Sequence, residues 1–127
     1  MAVLNKYAVL VQVKSVFVPD QSNIAESRYV FSYTVTITNT GNIAAQLVSR
    51  HWVITDANNQ VQEVKGLGVV GAQPLLQPDE KFEYSSGTVL KTPVGSMHGT
   101  YKMVAIDGTY FDGVIETFSL SQPRILH

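Results

Sequence analysis

From Tyr29 to Asn39 the chain reads YVFSYTVTITN, with Phe31, Tyr33, Val35 and Ile37 on one parity and Ser32, Thr34, Thr36 and Thr38 on the other. Successive side chains of an extended chain point to opposite faces, so this run is a strand with one face buried and one face wet. Whatever fold contains it must bring a second apolar layer over the aromatic and β-branched face. Asn39-Thr40-Gly41-Asn42 tolerate positive φ, and Leu47 to Thr55, containing VSRHWVIT, reads as strand again. A hairpin is therefore expected between the two.

The same pattern recurs in short pieces. Val9 to Val18 is extended, and its apolar phase switches near Ser15 and Val16, which suggests a bulge or a crossing between sheets. Asp56-Ala57-Asn58-Asn59 is a turn, Gln60 to Val64 a short strand, and Lys81 to Tyr84 another after the Pro78-Asp79 turn. Thr100 to Ile106 and Tyr110 to Leu120 flank Asp107-Gly108, a strong hairpin signal. No amphipathic helical period lasts three turns. About seven strands without βα alternation predict an all-β, antiparallel sandwich of the immunoglobulin or fibronectin type III kind. The 127 residues fit one domain, 1–127, and with no cysteine its stability rests on an apolar core. Trp52, in a central strand, is expected between the sheets, the alternative being a surface aromatic for binding. Tyr101, where a strand begins, is either a tyrosine corner or an ordinary packed tyrosine.

Nine basic residues against ten acidic ones create no long-range positive field, so generic nucleic-acid binding is not expected. The apolar run Tyr7 to Val11 is interrupted by Gln12 and Lys14, far short of a membrane helix, and carries no signal-peptide pattern. A cytoplasmic protein without membrane insertion is expected.

VKGLGVVGAQP places Gly66, Gly68 and Gly71 in the spacing G-x-G-x-x-G. A dinucleotide loop needs a helix whose first amides meet the pyrophosphate, and Pro74 and Pro78 leave no room for one. Two readings remain: a close-packed, bulged loop, which is the expected one, or a small anion nest of exposed amides beside Lys65. Lys65, Gly66, Gly68 and Gly71 are thus the candidate ligand residues for a phosphate- or pyrophosphate-bearing small molecule. Arg50 and His51 are candidate surface contacts; adjacent on a strand, they face opposite sides. Ser96 near His98 does not match a nucleophile elbow, and His51, His98 and His127 share no ligand spacing, although His51 and Asp56 could meet a third ligand from another strand. No catalytic residues, metal site or cofactor are expected, and the chain reads as a non-enzymatic module with a protein partner.

Taken in order, YVFSYTVTITNTG, LVSRHWVITDA, VKGLGVVGAQP, FEYSSG, GSMHGTY and the terminal PRILH resemble the ApaG family over nearly the whole chain. RHW followed by ITDA and then G-x-GVVG is the most distinctive part. Ala72 stands where the family usually has glutamate, Asp79 replaces the glycine of a P-G-E turn, and Glu116 takes the place of a common proline. The first departure removes a carboxylate from the glycine loop. The resemblance implies a fibronectin-III-like sandwich with no assigned catalytic residues. It also implies a connection with cobalt and magnesium resistance or efflux, and a role as the binding module that such domains look like in eukaryotic F-box and DNA-polymerase-interacting proteins. Without a membrane segment, any part in efflux would be indirect.

Overall fold

A computed structural model describes residues 5–123. His127, and the terminal PRILH motif beyond Pro123, lie outside the described residues. Among these residues eight strands follow in order: β1 Val9–Phe17, β2 Tyr29–Asn39, β3 Ala45–Asp56, β4 Val61–Leu67, β5 Leu75–Leu76, β6 Lys81–Leu90, β7 Val94–Ala105 and β8 Tyr110–Ser121. They form two antiparallel sheets, one of order β1-β2-β6 and one of order β4-β3-β7-β8 with β5 added on β3. The expected all-β sandwich is therefore present. No helix among the described residues is long and apolar enough to cross a membrane.

The expected hairpin between β2 and β3 is not formed, because the two strands belong to different sheets. The crossing is organised by Asn39, which is 1% exposed. Its Nδ2 donates to the carbonyls of Ile43 and Leu76, both at 2.9 Å, and its Oδ1 accepts from the Gly41 amide at 2.9 Å. An amide has donors and an acceptor to satisfy, so one side chain fastens the crossover loop to β5 without leaving a buried polar atom unpaired.

Neither the bulge nor the crossing between sheets expected in β1 is present: β1 pairs with β2 without a slip from Val9–Asn39 to Phe17–Phe31. Ser15 keeps the inward parity of Val9, Val11 and Val13, and its hydroxyl donates to the Ser119 carbonyl of β8 at 3.0 Å. Register shifts occur instead between Leu47 and Ser49, in the β3–β7 pairing, and between Met97 and Gly99, in the β7–β8 pairing. Each changes the inward parity of a strand. Ala45 and Leu47 face inward before the first; Trp52 and Ile54 do so after it. In β8 the buried positions pass from Gly113 and Ile115 to Leu120, with Phe118 half-buried.

Trp52, 2% exposed, lies between the sheets as expected. Its ring meets Tyr33 of β2 edge-on at 5.2 Å, Phe118 at 6.0 Å and Tyr101 at 6.3 Å between centroids. Such tilted contacts between aromatic quadrupoles add to the burial of their area. Tyr101 is fully buried but is no tyrosine corner: its hydroxyl bonds to that of Tyr84 on β6, across the sandwich. Burial pushes the Tyr84 hydroxyl up to about 12 and raises that of Tyr101 as well. At the Asp107-Gly108 hairpin, Tyr7 donates to Asp107 and the Thr109 amide adds a bond at 3.0 Å. These bonds, that of Tyr7 foremost, hold the Asp107 carboxyl well below its usual range.

Replacing either Tyr84 or Tyr101 by Phe leaves the other buried hydroxyl without its partner, with an expected cost of about 1–3 kcal/mol. Because the double replacement removes both groups, denaturant titration should give it a smaller loss than the sum of the two. The phenols of the unfolded chain ionise near pH 10 while the native ones stay neutral. Stability from this pair is therefore complete below about pH 10 and is lost as pH rises through 12. Additive single losses, or a flat alkaline limb, would refute the pairing.

Candidate functional site

The glycine segment begins as strand. Lys65 and Gly66 lie in the β3–β4 ladder opposite His51 and Arg50. Beyond Leu67 the Gly68 amide donates to the Val48 carbonyl at 2.8 Å, with Gly68 at φ 64°. Val69 and Ala72 then exchange two N–H···O bonds, of 2.8 and 2.9 Å, around Val70 at φ 42° and Gly71 at φ 81°. Two central residues at positive φ inside such a closed pair make a type I′ turn. A Cβ at Gly68 would strike the Ala72 carbonyl. The amides of Gly68, Val69 and Ala72 thus bond within the loop or to β3.

Arg50 and His51 separate as their neighbouring positions require. Arg50 turns toward the inter-sheet space, and its Nη1 donates to the carbonyls of Leu67 at 3.0 Å and Gly68 at 2.8 Å. Gly66 leaves space for it, since a Cβ there would lie 2.8 Å from Nη1. Arg50 therefore clamps the glycine loop as well as meeting the surface. His51 faces outward, with Nε2 2.9 Å from Glu63 Oε1. Asp56 is not its neighbour: Asp56 Oδ1 accepts the amides of Asn58 and Gln60 and shapes the β3–β4 turn. Among the described residues no three His, Cys, Asp or Glu side chains gather around a common point.

Two hollows matter. A shallow one of ≈ 510 Å³, opening to the outer face, brings Arg50, His51, Lys65 and Gly66 together with Thr100, Lys102 and Asp112. Gly68 and Gly71 are not among its lining residues. The other is a trench between the facing edges of β4 and β6. Its larger part, ≈ 340 Å³, has Trp52, Ile54 and Arg50 of β3 at its base, Gln62 and Val64 of β4 along one wall and Ser86 to Val89 of β6 along the other. A smaller part of ≈ 170 Å³ continues past Ile54, Gln62 and Val89 to Asp56 and Lys91.

The trench exists because three strands face four. On one flank β1 rests on β8, joined by the Ser15–Ser119 bond. On the other, β6 ends the smaller sheet and β4 extends beyond it with no strand above among the described residues. At the inward positions of β6 beside the trench stand Ser86 and Thr88, where a closed core would carry large apolar side chains. That break in apolar alternation, the SSGT tract, is the only signal of the trench in the sequence.

Beside this geometry, the profile of the ApaG domain matches residues 19–105. The chain belongs to the ApaG domain family. It is 62% identical over 122 residues to the protein ApaG of Methylobacillus flagellatus, covering 96% of each chain. It is 58% identical over 127 residues to that of Dechloromonas aromatica, covering all of both. A crystal structure of an ApaA protein from Bordetella pertussis superposes with a TM-score of 0.93 at 52% identity, over 96% of this chain and 99% of that one. The ApaG resemblance read from the motifs and the family relationship thus agree.

The loop geometry gives two substitutions of opposite sign. Gly68→Ala should cost about 1–2 kcal/mol from left-handed backbone strain alone, and more from the contact with Ala72. Val70→Asn creates Asn-Gly, the pair best suited to a type I′ turn, at an exposed position, and should stabilise by about 1 kcal/mol. Urea titration of both variants is the check; destabilisation by Val70→Asn would show that the turn is assigned wrongly.

Proposed function

We propose that this ApaG-family domain is a cytoplasmic, non-enzymatic interaction or accessory module that holds a protein partner along its open flank. The observation that carries this reading is the trench, where the edges of β4 and β6 flank a floor of half-buried Arg50 and Val64 beside the buried Trp52 and Ile54. Unpaired edges are templates for association, and proteins ordinarily shield them with charge, proline or a covering segment. From Ser85 to Leu90, β6 has none of the first two. The link to cobalt and magnesium resistance that the family resemblance implies then runs through the partner, not through metal bound by this domain.

A second reading, recognition of a phosphate-bearing metabolite, is favoured by the outer hollow, where Lys65 and Lys102 flank Thr100 and His51. Its donors would be side chains of the sheet face, with Gly66 the one loop glycine beside them.

The two readings separate by site-specific photocrosslinking in cell extract. A photoreactive side chain at Val89, 41% exposed beside the trench, should yield a discrete adduct that the same group at Val114, on the outer face, does not. Adducts at Val114 alone would move the interaction to the outer face, and none above a charge-matched control would remove it. Pyrophosphate should perturb the amides of Lys65, Thr100 and Lys102 in a saturable way only if the second reading holds.

A further inference from the structure

We propose that the trench is the vacant position of a fourth strand, and that its occupant is one extended segment of a partner protein added antiparallel to β6. The inference rests on the interaction reading above and specifies the partner's chemistry.

The phase of the β2–β6 ladder identifies which backbone groups are available. The Asn39 amide donates to the Glu80 carbonyl at 3.0 Å, so Asn39–Glu80 belongs to the hydrogen-bonded set of pairs. In an antiparallel ladder this set recurs every second residue. Tyr84, Ser86 and Thr88 therefore direct their backbone groups to β2, opposite Val35, Tyr33 and Phe31. Glu83, Ser85, Gly87 and Val89 direct theirs away from β2, over β4. A strand laid there would bond to these groups on one side and rest its inward side chains on Val64, Ile54 and Trp52 below. It would turn three strands over four into four over four.

The position is one strand wide, which excludes a second copy of this chain. Two copies joined β6 to β6 by a two-fold axis would each place β6 above the other's β4, although β6 already lies above its own β3. Only an isolated segment escapes that conflict. Charge narrows its composition. Arg50 stands at the Tyr84 end of the trench and makes its two carbonyl bonds through Nη1, leaving other guanidinium donors for a carboxylate. Lys91 and Asp56, of opposite charge, stand at the other end. The centre, beside Ser86, Gly87, Thr88 and Val89, carries no charge. The geometry fits a segment that is uncharged and half apolar at its centre and carries an inward carboxylate near its C-terminal end, over Arg50. This is strand addition, in which backbone bonds supply affinity and alternate side chains supply selection.

The test uses the full chain and a blocked synthetic peptide alternating valine and threonine, with one aspartate near its C-terminus. Amide shifts of the labelled protein should saturate at Ser85, Gly87 and Val89 and along β4. Methylating the peptide nitrogens that face β6 should abolish binding, while methylating those on its other edge should not. Lysine in place of the aspartate should weaken it. In the protein, Gly87→Pro removes an outward N–H and should weaken binding about tenfold, the loss of one to two hydrogen bonds. Gly87→Ala adds a Cβ but keeps the N–H, and should stay within about twofold. The proposal is overturned by no saturable shift up to millimolar peptide, by equal effects of Ala and Pro, or by indifference to which edge is methylated. Indifference to methylation together with specific crosslinking at Val89 would discard strand addition and leave the interaction reading intact.

Discussion

Burial of Trp52 between two sheets of unequal width is the constraint on which the rest of the molecule depends. An indole of that size needs cover on both sides, and it receives it from Tyr33 of the smaller sheet and from Tyr101 and Phe118 of its own. The hydroxyl bond between Tyr84 and Tyr101 then ties the sheets together beside it. With β1 placed on β8, three strands reach only as far as β6. Closure of one flank thus obliges the other to stay open, and Ser86, Thr88 and Gln62 are the small or polar residues that this opening tolerates at inward positions.

The local grammar of the chain was legible because it is carried by neighbouring residues. Alternation in YVFSYTVTITN and the Asp107-Gly108 pair are visible within a few positions, and both correspond to observed elements. Trp52 was readable as core from its size and strand context. The crossing from β2 to β3 was not, since Asn-Thr-Gly-Asn suits a hairpin and a crossover equally. The choice is made by the Asn39 amide, which reaches Leu76 far along the chain. The register shift near Val48 was hidden for a similar reason: nothing local marks it, yet it decides that Arg50 faces the inter-sheet space and His51 faces out.

The candidate site divides along the same line. Gly68 and Gly71 were legible as conformational residues, whereas Val70 at positive φ was not, because a β-branched side chain is disfavoured there. Lys65, Gly66, Arg50 and His51 do share a hollow, but with Thr100 and Lys102, which the ladder brings from a distant segment. The trench escaped the sequence almost entirely. Sheet width is a tertiary property, and the single local trace of the opening is SSGT, which shortened the strand expected at Lys81–Tyr84 although β6 continues to Leu90. In β6 the strand runs on through Ser85, Ser86 and Gly87, residue types that ordinarily end one, and this is where the structure places an edge that the described fold does not cover.

Native-state hydrogen exchange along β6 tests this account most directly, because protection reports which amides have partners. If the flank is open, the amides of Tyr84, Ser86 and Thr88 should exchange slowly, together with those of β2, while those of Ser85, Gly87 and Val89 exchange orders of magnitude faster. Uniform protection of β6 in the isolated protein would mean that another segment already covers the edge, and would contradict the three-over-four arrangement from which the open flank was derived.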